Sequence, residues 1–323
     1  MAATSKDLRI VFMGTPEFAT TILKKLVDEN YNVVGCVTVP DKPAGRGRKI
    51  QESDVKKYAI SKEIPLLQPH KLKSEEFLEQ LSVFQADIFI VVAFRMLPEV
   101  VWKMPRMGTI NLHGSLLPNY RGAAPINWAV INGEQKTGVT SFYINDKIDT
   151  GDVLLQEEMT IHENETAGEV HDRMMHLGAD IILKTIDGIF SKELQPIAQK
   201  EISVKQTHPA PKIFKEDCKI DLTADIQKII HFIHGLSPYP GAWLELTHLT
   251  KQEAFSFKIF RAKPFDEATH NKTCLFEDQK QLLLQLPKGT LILEEVQLQG
   301  KRKMNAKDFI AGFRPEEWNV NFN

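Results

Sequence analysis

The sequence predicts an α/β protein, a Rossmann-like, doubly wound and mostly parallel sheet followed by a second, smaller β-barrel domain. Three observations carry this. Short unbroken apolar runs alternate with segments of helical periodicity in the first 190 residues, the pattern of strands buried on both faces. The length, 323 residues, exceeds a comfortable single core, so two domains are expected. Beyond the segment Ser237-Pro-Tyr-Pro-Gly241 the helical pattern gives way to short strand-like runs separated by turn residues.

In order along the chain, Leu8–Met13 is an apolar run that ends at Gly14-Thr15-Pro16. Phe18, Ile22, Leu23, Leu26 and Val27 follow at helical spacing, and Val33–Val39 is a second run rich in β-branched residues. Val55–Ser61 reads as helix, Ile64–Leu67 as strand and Phe77–Phe84 as helix. Ile88–Ala93 and Gly108–His113 are further buried strands. After Asp152, Val153–Thr160 continues as strand and Thr166–Phe190 as a long amphipathic helix. Its stripe of Val170, Met174, Leu177, Ile181 and Ile182 is core packing. Residues 191–212, with Pro196, Pro209 and Pro211, carry little periodicity and read as the linker, which sets the domains at 1–206 and 207–323. Asp225–Gly235 is a helix, and Trp243–Leu246, Phe255–Ala262, Gln281–Leu286 and Thr290–Val296 are the strands of the barrel. Internal repeats and low-complexity segments are absent from the sequence.

Composition narrows the function classes. Hydrophobic residues make up 42% and charged residues 25%, as in ordinary globular proteins. No apolar run approaches the roughly 18–20 residues of a membrane span, and Lys6, Asp7 and Arg9 interrupt any signal-peptide core. Cys36, Cys218 and Cys274 are scattered without CxxC spacing, so neither a disulfide framework nor structural zinc is expected and a cytoplasmic setting fits. His231 and His234, three apart on a helix, lack a third ligand nearby, and His171 and His176 do not share a face, so no metal is expected. Gly14-Thr-Pro-Glu-Phe18 is not G-x-G-x-x-G, and G-x-x-x-x-G-K-[ST] is missing, which argues against a bound nucleotide cofactor. The net charge is −2, with 24 basic and 27 acidic residues up to 206 and 16 and 15 beyond it. Any RNA contact must then come from local patches. Lys42, Arg46, Arg48 and Lys49 form one, in a stretch where Pro43, Gly45 and Gly47 predict neither helix nor strand; Lys301-Arg302-Lys303 forms another. Without a coiled-coil or interface pattern, a monomer is expected.

The chemistry concentrates in Asn111-Leu112-His113-Gly114-Ser115-Leu116-Leu117-Pro118 and in Ile148-Asp149-Thr150-Gly151-Asp152. Asn111 and His113 lie two apart, so on a strand they point to the same side. An Asn amide there can donate to a developing oxyanion, and a His can donate or relay a proton. Asp149 can orient that His or accept the proton that an attacking amine releases. Each residue alone also suits a turn or a satisfied core position; together they suit an acyl-type transfer without metal or covalent nucleophile. Both Gly14-Thr15-Pro16 and His113 fall at carboxyl ends of predicted strands, where ligands bind in such sheets.

Asn111 to Ile126, followed by Thr137-Gly138-Val139-Thr140 and Asp149-Thr150-Gly151-Asp152, resembles the signature of the formyltetrahydrofolate-dependent formyltransferases. Leu8–Ala19, Pro40–Lys49 and Ser237–Trp243 are similar to the branch acting on methionyl-tRNA, and the resemblance runs from about residue 8 to beyond 310. One departure is Val91-Val-Ala-Phe-Arg-Met-Leu-Pro98, where many relatives carry a longer Ala-Tyr-Gly-x-Ile-Leu-Pro; Arg95 replaces a small residue. The resemblance implies an OB-like C-terminal domain, 10-formyltetrahydrofolate as co-substrate and initiator methionyl-tRNA as acceptor. It implies catalysis by Asn111, His113 and Asp149, a folate side of Ser115, Leu116, Leu117 and Pro118, and an acceptor side at Gly14, Thr15, Pro16 and Phe18. Lys42, Arg46, Arg48 and Lys49 would contact tRNA. The rival readings are a formyltransferase for a small amine such as a nucleotide sugar or glycinamide ribonucleotide, a formyl hydrolase, and a non-catalytic RNA-binding protein. A small acceptor requires neither the basic 41–49 segment nor the distal barrel, and an RNA-binding protein has no reason to keep Asn, His and Asp in this register.

Overall fold

The side chains of Ile10–Gly14 offer water no polar face, and this strand, β1, lies at the interior of a seven-stranded sheet with every residue buried. The computed structural model describes residues 4–44, 49–203, 206–265 and 272–321. Along the chain come α1 (Glu17–Asp28), β2 (Val33–Val37), β3 (Lys42–Ala44), β4 (Lys49–Gln51), α2 (Asp54–Ser61), β5 (Leu66–Leu67) and α3 (Glu75–Val83). Then follow β6 (Ile88–Val92), α4 (Glu99–Trp102), β7 (Thr109–His113), β8 (Arg121–Gly122), α5 (Pro125–Ile131), β9 (Lys136–Tyr143), β10 (Val153–Thr160), α6 (Ala167–Phe190) and β11 (Pro209–Ala210).

The sheet runs β10-β9-β7-β6-β1-β2-β5. Its pairs from β5 through β7 are parallel, and β9 returns antiparallel to β7, setting Asn111 opposite Phe142 and His113 opposite Thr140. The strand order reverses between β1 and β6, which puts the ligand-binding crevice of such a sheet beyond Gly14 and Val92. One face of the sheet, with Val11, Met13, Phe89 and Val91, packs against Phe77 and Leu81 of α3 and Val101 of α4. Val91 pairs with Asn111, so Asn111 shares that face and Leu112 takes the other. There α6 comes close: a Cβ at Gly178 would sit 2.7 Å from Leu112 Cδ2. In α6, Val170, Met174, Ile181 and Ile182 of the predicted stripe are buried and Leu177 is half-buried.

The chain sorts into two compact units. One comprises Met1–Pro125, Thr137–Met159 and His171–Ala210; the other comprises Ile126–Lys136, Thr160–Val170 and Pro211–Asn323. In the second, α7 (Ile226–Gly235) precedes β12 (Ala242–His248), β13 (Ala254–Phe265), β14 (Cys274–Asp278), β15 (Gln281–Leu286), β16 (Gly289–Leu298), β17 (Met304–Asn305), α8 (Ala306–Phe309) and β18 (Trp318–Val320). The order β14-β15-β16-β13-β12-β18 is antiparallel throughout, and β14 lies beside β18, so the sheet nearly closes into a barrel. Ile229, Ile230 and Ile233 of α7 join its core with Phe257, whose ring meets those of Phe309 and Phe313.

One expectation is corrected. The 41–49 stretch does contain strands: β3 pairs antiparallel with β4, Lys42 opposite Gln51 and Pro43 opposite Ile50. Among the described residues each strand of this pair has a single neighbour, so proline's missing N–H can face the open edge without breaking a ladder bond. Arg46 and Arg48, like Gly45 and Gly47, lie outside the described residues, as does the side chain of Lys49.

His234 of α7 is buried and its Nε2 accepts from the Ala262 N–H at 3.3 Å. Burial lowers its pKa to about 4 from the ordinary 6.5. The unfolded chain thus binds a proton that the folded one refuses between these values, so stability is full above pH 6.5 and falls as the pH drops toward 4. The contribution is about 3 kcal/mol at the bottom of that window. His234→Gln, which keeps an acceptor without titrating, is expected to flatten this part of the curve when urea unfolding is followed between pH 7 and 4.5.

Candidate active site

Strand β7 ends at His113, and the parity of the strand puts Thr109, Asn111 and His113 on one face. Asn111 is half-buried, and among the described residues its carboxamide has no hydrogen-bond partner. His113 is buried, with Nε2 2.8 Å from the carbonyl oxygen of Tyr120. That oxygen can only accept, so Nε2 carries the hydrogen and Nδ1 is the basic nitrogen of the neutral ring. Asp149 Oδ2 lies 3.8 Å from Nδ1, beyond a hydrogen bond but within reach of an ion pair once the ring is protonated. The same Oδ2 accepts the Gly122 N–H at 2.9 Å. Asp149 sits in the left-handed region at φ +53°, a conformation that Asp tolerates better than most residues.

The residues after His113 form a saturated turn. Ser115 is fully buried, and its hydroxyl donates to Asn119 O at 2.6 Å. Thr140 Oγ1 of β9 donates to Ser115 O at 2.6 Å and accepts from Leu117 N at 3.1 Å. Gln156 Nε2 of β10 donates to Leu117 O at 2.8 Å. Ser115, Leu117 and Pro118 are buried and Leu116 is half-buried. The turn after β1 lies two strands away from β7. In it Gly14 and Phe18 are buried, Thr15 is half-buried and Pro16 exposed. A Cβ at Gly14 would stand 2.5 Å from Ala19 Cβ, and the Phe18 ring packs on His171 with centroids 5.3 Å apart. Lys42 is exposed, and the Lys56 ammonium holds the Asp41 carboxyl below the usual carboxylate range at the base of the β3–β4 pair. Arg95 donates to Pro69 O at 2.8 Å and His70 O at 3.3 Å and stacks over Phe94.

Three residues that sequence reasoning passed over complete the site: Tyr120, Gly122 and Gln199. Residues 208–210, read as linker, hydrogen-bond into it. Tyr120 N donates to His208 O at 2.7 Å, His208 N donates to Asn119 Oδ1 at 2.7 Å, and β11 pairs with β8. Gln199 Nε2 donates to the carbonyls of Asp149 and Gly151. The visible signal was Gly122 alone, a glycine at φ +128° whose Cβ would lie 2.3 Å from Ala210 O. Among the described residues no group of three His, Cys, Asp or Glu could hold a metal ion, and no helix is long and apolar enough to cross a membrane.

Residues 8–186 match the family model for formyl transferase, and residues 212–314 match that for the formyl transferase C-terminal domain. The chain belongs to the formyl transferase family. Within this family it is 50% identical over 312 residues to the methionyl-tRNA formyltransferase of Bacteroides thetaiotaomicron, covering 96% of this chain and 97% of the relative. It is 49% identical over 308 residues to that of Flavobacterium johnsoniae, covering 95% and 96%. Two solved structures share the formyl transferase fold. HypX from Aquifex aeolicus in complex with tetrahydrofolic acid has a TM-score of 0.64 at 16% identity, the match covering 94% of this chain but 47% of HypX. WlaRD, a sugar 3N-formyl transferase, has a TM-score of 0.61 at 17% identity, covering 91% and 99%.

The close approach at Gly122 makes a test of the turn. Gly122→Ala puts a methyl group against the Ala210 carbonyl in a strained backbone and is expected to cost about 1–3 kcal/mol of stability. Urea unfolding of the variant checks this, and an unchanged midpoint would show that β8 and β11 need no such close approach.

Proposed function

We propose that this chain transfers the formyl group of 10-formyltetrahydrofolate to the α-amino group of methionine on initiator methionyl-tRNA. The supporting observation is the gathering of Asn111, His113 and Asp149 at the end of β7 in a chain about half identical, over nearly its whole length, to methionyl-tRNA formyltransferases. The free amine attacks the formyl carbon, forming the new C–N bond and an oxyanion. Collapse breaks the bond to N10 of the folate, and one proton passes from the amine to N10. The Asn111 carboxamide, which has no hydrogen-bond partner among the described residues, donates to the oxyanion. His113, its Nε2–H committed to Tyr120, works through Nδ1, and the Asp149 carboxylate steadies the imidazolium there and helps draw off the amine proton.

In this reading the turn 115–118 borders the folate, with Leu116 the least buried of its four side chains. The acceptor enters by Gly14, Thr15, Pro16 and Phe18, and Lys42, Arg46, Arg48 and Lys49 contact the tRNA backbone. The catalytic domain is 1–206 and the tRNA-gripping domain 207–323, in a cytoplasmic monomer. The deciding assay is formyl incorporation into charged initiator tRNA, with free methionine and a nucleotide-sugar amine as controls. Equal or better use of either control would favour the small-amine reading.

Asn111→Ala and His113→Ala are each expected to lower kcat about 10²–10³-fold with tRNA affinity retained. Asp149→Asn should fold and be severely impaired, since an amide cannot steady the imidazolium. Single-turnover rates measured beside thermal unfolding separate these losses from a structural defect.

Neutralising Arg46 and Arg48 together should weaken tRNA use by about 10–100-fold, a deficit of ~1–3 kcal/mol in binding, with folate KM unchanged. The slope of log K against log salt should flatten by roughly one unit for each phosphate that is no longer neutralised. A double variant with wild-type affinity and slope would return this segment to ordinary solvated surface.

A further inference from the structure

Gln199 belongs to the aperiodic stretch after α6, yet it is only 4% exposed and every polar atom of its side chain is engaged. Nε2 donates to Asp149 O at 2.9 Å and to Gly151 O at 2.8 Å. Oε1 accepts from Nε of Arg121 at 3.0 Å and also from its Nη2. A guanidinium only donates and peptide carbonyls only accept, so the carboxamide fits one way round. The next residue along, Gly122, donates its N–H to Asp149 Oδ2. Asp149 is therefore gripped twice, at its backbone through Gln199 and at its carboxylate through Gly122, and both grips lead to the same dipeptide. Tyr120, one residue earlier, takes the Nε2–H of His113. Three consecutive residues thus register the imidazole and the carboxylate against each other, and Gln199 is the link that closes the circuit.

We propose that Gln199 is a positioning residue for formyl transfer, its carboxamide tying the Asp149 loop to Arg121 and so setting the Asp149 carboxylate against Nδ1 of His113. This rests on the reading of Asp149 as a member of the catalytic set. The carboxylate acts on the imidazolium by charge across 3.8 Å, an interaction that weakens as the loop drifts. Asp149 takes a φ of +53°, and its carbonyl accepts from Gln199 in that conformation. A misplacement of about 1 Å in a catalytic group can cost on the order of 10²-fold in rate.

Two variants of the full chain test this in formylation of charged initiator tRNA. Gln199→Glu keeps the volume and the acceptor for Arg121 but turns an oxygen toward the carbonyls of Asp149 and Gly151. Gln199→Met removes all of these hydrogen bonds at similar volume, and Gln199→Glu serves alone where Gln199→Met does not fold. Each is expected to lower kcat about 10–100-fold with KM for both substrates nearly unchanged. In an Asp149→Asn background the same substitutions should lower kcat little further, because the group they position is already gone. Wild-type kcat in a folded Gln199→Glu protein overturns the proposal, and so does a full additional loss in the Asp149→Asn background, which would mean a general structural role. Wild-type kcat in Asp149→Asn alone would overturn the catalytic reading of Asp149 and this proposal with it.

Discussion

The carbonyl of Tyr120 has no hydrogen to give, and the chemistry of the site depends on that fact. Because it faces Nε2 of a buried His113, the ring can satisfy both atoms only as the Nε2–H tautomer. The basic nitrogen is thereby directed toward Asp149 without any bond from the carboxylate itself, which is occupied with Gly122. Orientation and charge compensation, often combined in one carboxylate, are divided here between a peptide carbonyl and a side chain. The carboxylate needs no approach closer than an ion pair, and the ring stays fixed whether or not it is protonated.

The sheet supplies the rigidity that this division requires. β7 has neighbours on both sides, β6 and β9, so the alternation of its residues is enforced by two ladders. Leu112 is locked under α6 at Gly178, which holds Asn111 and His113 to the opposite face. The turn beyond His113 is buried and would leave polar backbone groups stranded without the hydroxyl of Thr140 and the amide of Gln156. Those two residues come from β9 and β10, at the edge of the sheet where the parallel order ends.

What could be read from the sequence followed the periodicities. Strands with continuous apolar runs, the long helix α6 and the two-residue spacing of Asn111 and His113 declared themselves, because burial on both faces and strand parity leave direct marks on composition. β9 did not. Thr137, Thr140 and Ser141 are buried, and their hydroxyls make the strand look polar, although Thr140 and Ser141 bond to Ser115 and Thr185 within the protein. β14 and β18 are short barrel strands with mixed burial, and hydropathy alone gives them little contrast. Gln199 was hidden for a related reason: a residue whose value lies in four hydrogen bonds to distant backbone and side chain has no local pattern to betray it. The strands β3 and β4 were not legible because proline and glycine both disfavour regular structure, whereas a short two-stranded pair accommodates Pro43 at its edge.

The attachment of Gln199 and of residues 208–210 to the site has a consequence for the order in which this unit is made. A chain emerging vectorially from the ribosome can assemble the whole seven-stranded sheet once β10 is out, and can cover it once α6 has followed. At that moment Asp149 still lacks Gln199, and Tyr120 still lacks His208. The scaffold is complete while the loops of Tyr120 and Asp149 remain unbraced, and the stretch from Ser191 to Ala210 must still be synthesised before they can set. Competence is therefore the last property this unit acquires, well after the fold that carries it.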